Sequence, residues 1–276
     1  MSGGIFMNIA IITGASSGMG YEYALQLEKN FKDIDEVWLV SRREERLIEL
    51  SNKINIKSRI LALDLLKDET FTTIKNLIEN DKATVKLLIN CAGCGRFGST
   101  TNTSIEDDMN VIDLNIKASV MLTRICLKYM EKGSYLIEMG SMSSYQPTPY
   151  VNTYAATKAF ILSYTRGLKN ELKNSGIRIM CVTPFWVNTE FFNYAFQTND
   201  NKVINYNKLY SAKEIVEKAY KDLLKTKKDR SVCGFSTKLL ILFTKIMPHR
   251  LVMKIWNKQQ RKAKNLDKIE ASKYLK

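Results

Sequence analysis

Short runs of apolar residues recur along this chain, separated by polar or amphipathic stretches. A run of four to eight apolar residues is typical of a strand buried on both faces, as in a parallel sheet. The runs predict seven strands, at residues 8–13, 36–40, 58–63, 86–89, 135–139, 177–182 and 231–235. Helical periodicity follows the first run through Tyr23, Ala24 and Leu27. Further helices are predicted at about 105–130 and at 211–227, where Ser211 and Glu214 form a capping box.

A glycine-rich turn joins the first predicted strand to the helix after it. Gly14, Gly18 and Gly20 follow directly on Thr13. Glycines let the backbone approach a pyrophosphate, and the start of the helix offers free amide groups and a partial positive charge. The turn therefore indicates a dinucleotide site.

The second predicted strand ends in Ser41, Arg42 and Arg43, which bear on the choice of nicotinamide cofactor. A site for NAD commonly has a carboxylate there for the ribose hydroxyls, whereas a neutral residue followed by arginine leaves room and charge for a 2′-phosphate. The alternative is that the arginines only start an exposed helix, where their charge opposes the macrodipole. We expect NADP(H), with NAD(H) as the alternative cofactor.

Ser141, Tyr154 and Lys158 are spaced so that they can act on one oxygen atom. Tyr154 and Lys158 are four residues apart, so a helix places them on one face, one turn apart. A nearby ammonium group stabilises a phenolate and lowers the pKa of the phenol from about 10 toward neutrality. Ser141 follows a predicted strand, where its hydroxyl can hold a carbonyl oxygen against the same tyrosine. The set predicts a site for proton transfer.

In their order and spacing, these motifs resemble those of the short-chain dehydrogenase/reductase family, from about Asn8 to Thr189. The resemblance implies one doubly wound α/β domain of the Rossmann type, a parallel seven-stranded sheet with helices on both faces. It also implies an enzyme that reduces a ketone or ketoacyl carbonyl to a secondary alcohol, or catalyses the reverse, by hydride transfer with the cofactor.

The resemblance also implies a role for each site residue. Tyr154 carries the proton, Lys158 holds the nicotinamide ribose and lowers the tyrosine pKa, and Ser141 polarises the carbonyl. Asn115 bends its helix locally and holds a water that links the lysine to solvent. The residues expected to bind the cofactor are Gly14, Ser16, Ser17, Gly18, Met19, Gly20, Ser41, Arg42, Arg43, Asp64, Leu65, Asn90, Ala92, Gly93, Tyr154, Lys158, Pro184, Val187 and Thr189.

Two positions depart from the family pattern. Cys91 replaces an asparagine, and Phe185 replaces a glycine where the backbone normally comes close to the nicotinamide. Cys91 and Cys94 are also spaced like a redox pair or half of a zinc site. The chain has no second such pair and a single histidine, His249, so we expect no metal and no redox disulfide.

The composition is that of a globular protein. Hydrophobic residues make up 45% and charged residues 25% of 276 residues, which excludes a disordered or fibrous chain. The sequence has no 18-residue apolar run, and its first residues lack the pattern of a secretion signal. Five cysteines, an odd number, fit a reducing compartment better than a disulfide framework. We expect a cytoplasmic protein.

The positive charge lies in the last part of the chain. Residues 1–201 contain 22 Lys and Arg and 22 Asp and Glu, whereas residues 202–276 contain 20 and 6, which accounts for the net charge of +14. Such asymmetry indicates either an acidic partner or a solvated lysine-rich face. No nucleic-acid-binding module is recognisable, so we expect no nucleic-acid partner.

We divide the chain into a catalytic domain at residues 1–236, with a lid at about 190–210, and a basic extension at 237–276. Aromatic residues in the lid favour an apolar ligand, and the alternative is a helix pair packed on the body. They are Phe191, Phe192, Tyr194, Phe196 and Tyr206.

The extension carries two apolar stripes among basic residues, separated by Pro248. Its apolar residues are Leu239, Leu242, Phe243 and Ile246 in the first stripe, and Leu251, Val252, Ile255 and Trp256 in the second. Basic amphipathic helices bind membrane surfaces peripherally or cover other parts of a protein. Of these we favour a cover for the lid or for a second subunit.

Two functions are compatible with the sequence. The first is an NADP(H)-dependent oxidoreductase acting on an apolar carbonyl or alcohol, in a homo-oligomer as is usual in the family. The second is a protein without catalytic activity that uses bound NADP(H) as a sensor. The presence of Ser141, Tyr154 and Lys158 together favours the enzyme, because a sensor needs no such set.

Overall fold

A computed structural model of the chain describes residues 7–196, 203 and 209–264. The lid residue Tyr206 and the end of the extension, 265–276, lie outside the described residues. The strands are β1 (Asn8–Thr13), β2 (Glu36–Ser41), β3 (Lys57–Ala62), β4 (Thr84–Asn90), β5 (Tyr135–Met139), β6 (Arg178–Val182), β7 (Val187–Asn188), β8 (Tyr210–Ser211) and β9 (Arg230–Ser231).

The helices follow the strands in alternation. They are α1 (Gly18–Leu25), α2 (Leu27–Asn30), α3 (Glu44–Ser51), α4 (Asp68–Asn80), α5 (Ile105–Ile112), α6 (Ala118–Cys126), α7 (Asn152–Glu171), α8 (Phe191–Ala195), α9 (Ala212–Lys225), α10 (Phe235–Ile246) and α11 (His249–Lys264). Short 3₁₀ turns occupy Leu127–Tyr129 and Met142–Tyr145. Within the described ranges, no helix combines the length and the apolar character needed to cross a bilayer.

The main sheet has seven parallel strands in the order β3-β2-β1-β4-β5-β6-β9, which confirms the predicted architecture. Successive side chains of a strand point to opposite sides of the sheet. In the central strands the side chains on both sides are buried. On β1, Ala10 and Ile12 join one core cluster, while Ile9 and Ile11 join the other. The first cluster includes side chains of α1, α3 and α9, and the second includes side chains of α4 and α6.

The last strand of the sheet is shorter than predicted. The apolar run 231–235 predicts five residues, whereas β9 covers only Arg230 and Ser231. Gly234 has φ +82°, a left-handed conformation that ends an extended chain, and Phe235 already begins α10. The predicted extension at 237–276 therefore starts inside this helix.

The predicted helix at 105–130 is also divided. A π-helical turn at Asp113–Lys117 separates α5 from α6, and it contains Asn115. Such turns are rare and are frequent at functional sites. The capping box of α9 is present as predicted, with Ser211 accepting from the Glu214 amide at 3.2 Å. Pro248 separates α10 from α11, also as predicted.

Candidate functional site

A cleft of about 480 Å³ opens where the main-sheet strands end on the carboxyl side. In a doubly wound sheet this edge is the usual ligand site. The cleft is lined by all the predicted site residues except Asn90 and Asn115, which lie beneath it and are almost fully buried. The structure therefore brings together residues that are up to 175 positions apart in sequence, from Gly14 to Thr189.

The glycine turn has the shape of a cradle that side chains would fill. Gly14 and Gly18 have φ values of +68° and +56°. A Cβ atom on Gly20 would lie 2.2 Å from the Gly14 carbonyl oxygen, and one on Gly14 would lie 2.9 Å from Ala92 Cα. Ser17 precedes α1 without a side-chain cap, and the first turn holds no acidic residue. This helix start fits an anionic phosphate.

Thr13 fixes the turn that follows β4. Its Oγ1 accepts hydrogen bonds from the amides of Cys91 and Ala92, both at 3.0 Å. Asn90, predicted as a cofactor contact, lies beneath the cleft with its side-chain amide bonded to buried groups. Its Nδ2 donates to Thr123 Oγ1 at 2.9 Å and to a buried carboxylate, that of Glu138, at 2.8 Å. Asn90 therefore joins β4 to β5 and α6.

Two serines order the segment after β5, and one of them bonds it to helix α7. Ser141 Oγ accepts from the Ser143 amide at 3.1 Å. Ser144 Oγ accepts from the Ser141 amide at 3.1 Å and donates to the main-chain oxygen of Lys158 at 2.7 Å. Ser144 thus fixes the distance between the serine segment and α7, a role that the sequence did not reveal.

Tyr154 and Lys158 lie in the cleft as the spacing predicts. Lys158 Nζ is 5.6 Å from the centroid of the Tyr154 ring and donates to the Met139 main-chain oxygen at 2.8 Å. The tyrosine ring packs against Phe97 and Phe191, with ring centroids 6.3 and 5.3 Å away. Tyr154 is therefore held between a charged neighbour and an aromatic wall.

The pKa of Tyr154 moves opposite to the predicted direction in the protein alone. Burial raises it to about 12, and a hydrogen bond with Ser141 lowers it by less. Burial lowers the pKa of Lys158. The physical reason is that both groups are desolvated, which disfavours each charged form, while the ammonium group is bonded to the Met139 carbonyl.

Asn115 holds the cleft floor through both ends of its amide. Its Oδ1 accepts from the Cys94 amide at 3.0 Å, and its Nδ2 donates to the Cys94 oxygen at 2.9 Å and to Thr157 Oγ1 at 3.0 Å. A Cβ atom on Gly93 would come within 2.9 Å of Asn115 Oδ1 and 3.4 Å of Lys158 Nζ. The predicted local bend is present as the π turn, and the side chain acts as a clamp.

Arg43 connects the glycine turn to the start of the predicted lid. Its guanidinium group donates to Ser16 at 3.0 and 3.2 Å, to Ser17 at 2.8 Å and to Glu190 at 2.7 Å. Its hydrogen bond with Glu190 holds the pKa of that carboxyl below its usual range. Arg42 is exposed, lines the cleft and makes no ion pair with the described residues. Glu190 was not predicted, although its place directly after Thr189 is a usable signal.

An aromatic cluster forms the other half of the cleft. Its aromatic members are Phe97, Tyr150, Tyr154, Trp186, Phe191, Phe192, Phe196 and Trp256. Of these, Tyr154, Trp186, Phe191, Phe192 and Trp256 line the cleft. Trp256 comes from α11, packs 6.5 Å from Trp186 between ring centroids and donates to the Pro149 oxygen at 3.1 Å. The extension therefore contributes to the cleft, as the covering role predicts for its second stripe. The sequence pattern did not indicate Phe97 or Trp186.

The Cys91–Cys94 pair consists of half-buried thiols of ordinary chemistry. Burial raises the pKa of Cys91 to about 12 and that of Cys94 to about 11, so both stay protonated at neutral pH. A thiolate is the form that binds metals or exchanges disulfides. The part of the chain that the structure describes contains no cluster of His, Cys, Asp and Glu able to hold a metal ion.

Glu138 is a buried carboxyl group that the sequence pattern did not mark as functional. It is fully buried on β5, and its Oε1 accepts from Asn90 at 2.8 Å and from Thr123 at 2.6 Å. Its Oε2 has no hydrogen-bond partner among the described residues. Burial raises the pKa of Glu138 to about 7, and the charge of nearby Lys158 opposes that shift. A charged residue inside an apolar run was the available signal.

Comparisons with known proteins identify the family. Residues 8–200 match the family model described as short chain dehydrogenase. An uncharacterized oxidoreductase of Staphylococcus epidermidis is 29% identical over 183 residues, which cover 66% of this chain and 78% of that protein. The very-long-chain 3-oxoacyl-CoA reductase of Kluyveromyces lactis is 33% identical over 196 residues, which cover 64% of this chain and 54% of that protein.

Solved structures give the same result for the fold. A short-chain dehydrogenase from Sphingobium yanoikuyae in complex with NADPH superposes with a TM-score of 0.72 and 23% sequence identity. The superposition covers 86% of this chain and 92% of that one. At 23% identity the similarity shows the fold alone. The site is argued from the residues described above.

We predict that Glu138→Gln stabilises the protein above neutral pH. The folded pKa of about 7 lies above the ordinary value of 4.5, so the folded state binds the extra proton between these values. The destabilisation by Glu138 is therefore absent below pH 4.5, grows as the pH rises and is complete above pH 7. Its full size is on the order of 3 kcal/mol.

Denaturant unfolding at pH 5 and pH 8 measures this effect. The variant's gain in free energy of unfolding should be larger at pH 8, where the carboxyl group of the original protein is charged. The amide of the variant keeps an oxygen that can accept hydrogen bonds from Asn90 and Thr123. Lys158 and Tyr164 on α7 and Cys181 on β6 also interact electrostatically with this carboxyl. Glu106→Gln, at an exposed position, controls for net charge. Equal gains at both pH values would contradict the prediction.

Proposed function

Because the chain belongs to the short-chain dehydrogenase family, we propose that it is an NADP(H)-dependent oxidoreductase for an apolar ketone or ketoacyl carbonyl and the corresponding secondary alcohol. The observation that carries this proposal is the position of Tyr154, which lines the same cleft as Ser141, Lys158 and the glycine turn. A buried phenol beside a hydroxyl donor suits proton transfer to a single oxygen atom.

The glycine cradle fits a dinucleotide, and the residues that would hold it follow from the cleft. The turn and the start of α1 would take the pyrophosphate, Lys158 the nicotinamide ribose, and Val187 and Thr189 the carboxamide. When bound, the nicotinamide supplies hydride for reduction or accepts it in oxidation.

The chain itself handles the proton. Ser141 Oγ donates to the substrate oxygen, and Tyr154 transfers its proton to that oxygen in reduction. With a pKa of about 12 the phenol is protonated at neutral pH, which is the form needed for reduction. Oxidation needs the phenolate and so becomes easier as the pH rises. At neutral pH the buried phenol is therefore in the form that reduction requires.

The aromatic cluster supports an apolar substrate. Trp186, Phe191, Phe192 and Trp256 line the cleft beside Tyr154, and a ligand between them exchanges water for aromatic surface. One similar protein is named for a very-long-chain 3-oxoacyl-CoA, a carbonyl compound with a long apolar part. This similarity favours ketoacyl compounds or other apolar ketones.

Further parts of the proposal concern the setting of the enzyme. All five cysteines are free, which suits a reducing cytoplasm. A homo-oligomer is proposed because family members are usually oligomeric. The second candidate function is an NADP(H) sensor without turnover, and the complete set of Ser141, Tyr154 and Lys158 favours the enzyme over it.

Replacement of Tyr154 by Phe tests the proposed function directly. The change removes one oxygen and keeps the ring that packs on Phe97 and Phe191, so NADPH binding should persist. Turnover in a screen of ketones, followed by NADPH absorbance, should fall by at least ~10²-fold, as is typical on losing a general acid. Tyr164→Phe on the same helix, outside the cleft, is the matched control.

The outcomes separate the two candidate functions. Near-normal turnover in Tyr154→Phe would show that Tyr154 is not the proton donor. NADPH binding by the original protein without turnover of any ketone or alcohol in the screen would instead favour the sensor.

Replacement of Arg42 by Ala tests the cofactor preference. If Arg42 binds the 2′-phosphate, NADPH binding should weaken by roughly 1.5–3 kcal/mol and NADH binding should be nearly unchanged. Titration of protein fluorescence with each cofactor measures both values. Arg46→Ala, four residues after Arg42 in helix α3 and outside the cleft, controls for the loss of a nearby positive charge. Equal losses for both cofactors would show that Arg42 does not recognise the phosphate.

For Glu190→Gln we expect tighter NADPH binding, the opposite of the result expected for Arg42→Ala. The carboxylate pairs with Arg43 at 2.7 Å and competes with a phosphate for its guanidinium group. Because exposed ion pairs contribute about 0.2–1 kcal/mol, NADPH binding should become about 1.4- to fivefold tighter, with little change for NADH. Weaker NADPH binding in this variant would place the 2′-phosphate away from Arg43.

A further inference from the structure

Helix α10 presents an apolar surface to solvent. Phe235 is 82%, Leu239 57%, Leu242 54% and Ile246 72% exposed, and their spacing of four, three and four residues places them on one side of the helix. We call the exposed apolar side the α10 face. It consists of Phe235, Leu239, Leu240, Leu242, Phe243 and Ile246. An exposed apolar area of this kind marks an interaction surface.

The opposite side of the helix holds it on the body of the protein. Ile241 is buried in a cluster with Met142 and Val232, and Thr237 and Thr244 are buried on the same side. The α10 face is therefore presented on a packed helix. In the single chain the first stripe is therefore exposed, which differs from the predicted covering role. In the second stripe, Val252 and Trp256 are packed against the protein.

The charge around this face is mainly positive. Residues 230–266 contain nine Lys and Arg and no Asp or Glu. Lys238 and Lys245 on α10 and Arg250, Lys254 and Lys258 on α11 are all exposed. Asp229, paired with Arg166, lies near Lys245, so the surroundings are mainly rather than wholly basic. Exposed apolar side chains among mainly basic residues are the pattern of a helix that lies in the surface of an anionic membrane.

The α10 face also lies beside the cleft. Met142 packs against Ile241 on the inner side of α10 and lines the cleft. Trp256, one helix further along the chain, forms part of the aromatic cluster in the same cleft. Binding of the α10 face to a membrane would bring the cleft close to molecules dissolved in that membrane.

We propose that the α10 face docks on an anionic membrane surface, and that the protein takes an apolar carbonyl substrate from that membrane. The second half rests on the proposed function, and the first does not. The exposed apolar side chains enter the boundary between headgroups and acyl chains, and the surrounding lysines and arginines attract anionic headgroups.

A second copy of the chain fits this face less well. In a two-fold symmetric dimer the same face meets itself. Lys238 and Lys245 would then meet the same basic surface on the other copy, where residues 230–264 of the described chain offer no carboxylate. An anionic surface supplies the missing charge, which is why the lipid is favoured.

Sedimentation of the full-length protein with vesicles tests the docking. Vesicles of phosphatidylcholine with 30% phosphatidylglycerol, on the order of a typical anionic fraction, are compared with pure phosphatidylcholine at low and high salt. We expect binding to the anionic vesicles, at least tenfold weaker binding to the neutral ones, and release by salt. Salt-insensitive or equal binding to both vesicles, or no binding, would overturn the proposal.

Exposed residues supply the variants, so folding is preserved. Leu239→Gln with Ile246→Gln should lose vesicle binding at least tenfold, as should Lys238→Gln with Lys245→Gln. Ile105→Gln replaces an equally exposed isoleucine, 83% accessible and distant in sequence, and should bind like the original. If Leu239→Gln with Ile246→Gln instead converts a dimer to a monomer without changing vesicle binding, the face serves self-association and the proposal is wrong.

Turnover separates the two halves of the proposal. The Leu239→Gln, Ile246→Gln protein should reduce a water-soluble ketone at the original rate and a vesicle-dissolved ketone at least severalfold more slowly. Equal rates on the vesicle-dissolved ketone would refute uptake from the membrane. Vesicle binding without turnover of any ketone would leave the docking intact and refute the proposed function alone.

Discussion

The site depends on an ammonium group that is buried at the end of a β-sheet. Lys158 is only 5% exposed, and a buried charge is tolerated only when it is bonded and compensated. The Met139 carbonyl accepts its hydrogen bond at 2.8 Å, and Glu138, the preceding residue on β5, is a partly compensating carboxyl group. The position of α7 relative to β5 is thereby determined, and the position of Tyr154 follows from it.

The same constraint explains why neighbouring residues are so restricted. Gly93 must remain without a side chain, because a Cβ atom would press on Asn115 and approach Lys158. Asn115 in turn requires the π turn between α5 and α6 to reach the Cys94 backbone. A helix irregularity, a glycine and a buried lysine thus belong to a single packing arrangement.

Features with a local cause could be predicted from the sequence. β1 follows from its continuous apolar run, the glycine cradle from its place after that strand, and the approach of Lys158 to Tyr154 from helical spacing. Asn90 and Glu138 could not be assigned in this way, because their roles arise from contacts between strands and helices far apart in sequence. The direction of the tyrosine pKa was also mispredicted, since spacing reveals a neighbouring charge and not the depth of burial.

Arg43 is shared between two parts of the site. It bonds Ser16 and Ser17 in the glycine turn and Glu190 at the start of the lid. If a 2′-phosphate takes the place of that carboxylate, cofactor binding and lid position become linked equilibria, and linkage is reciprocal. Any substrate that draws the lid inward will then change the affinity for a phosphorylated dinucleotide, while leaving that for its unphosphorylated counterpart alone.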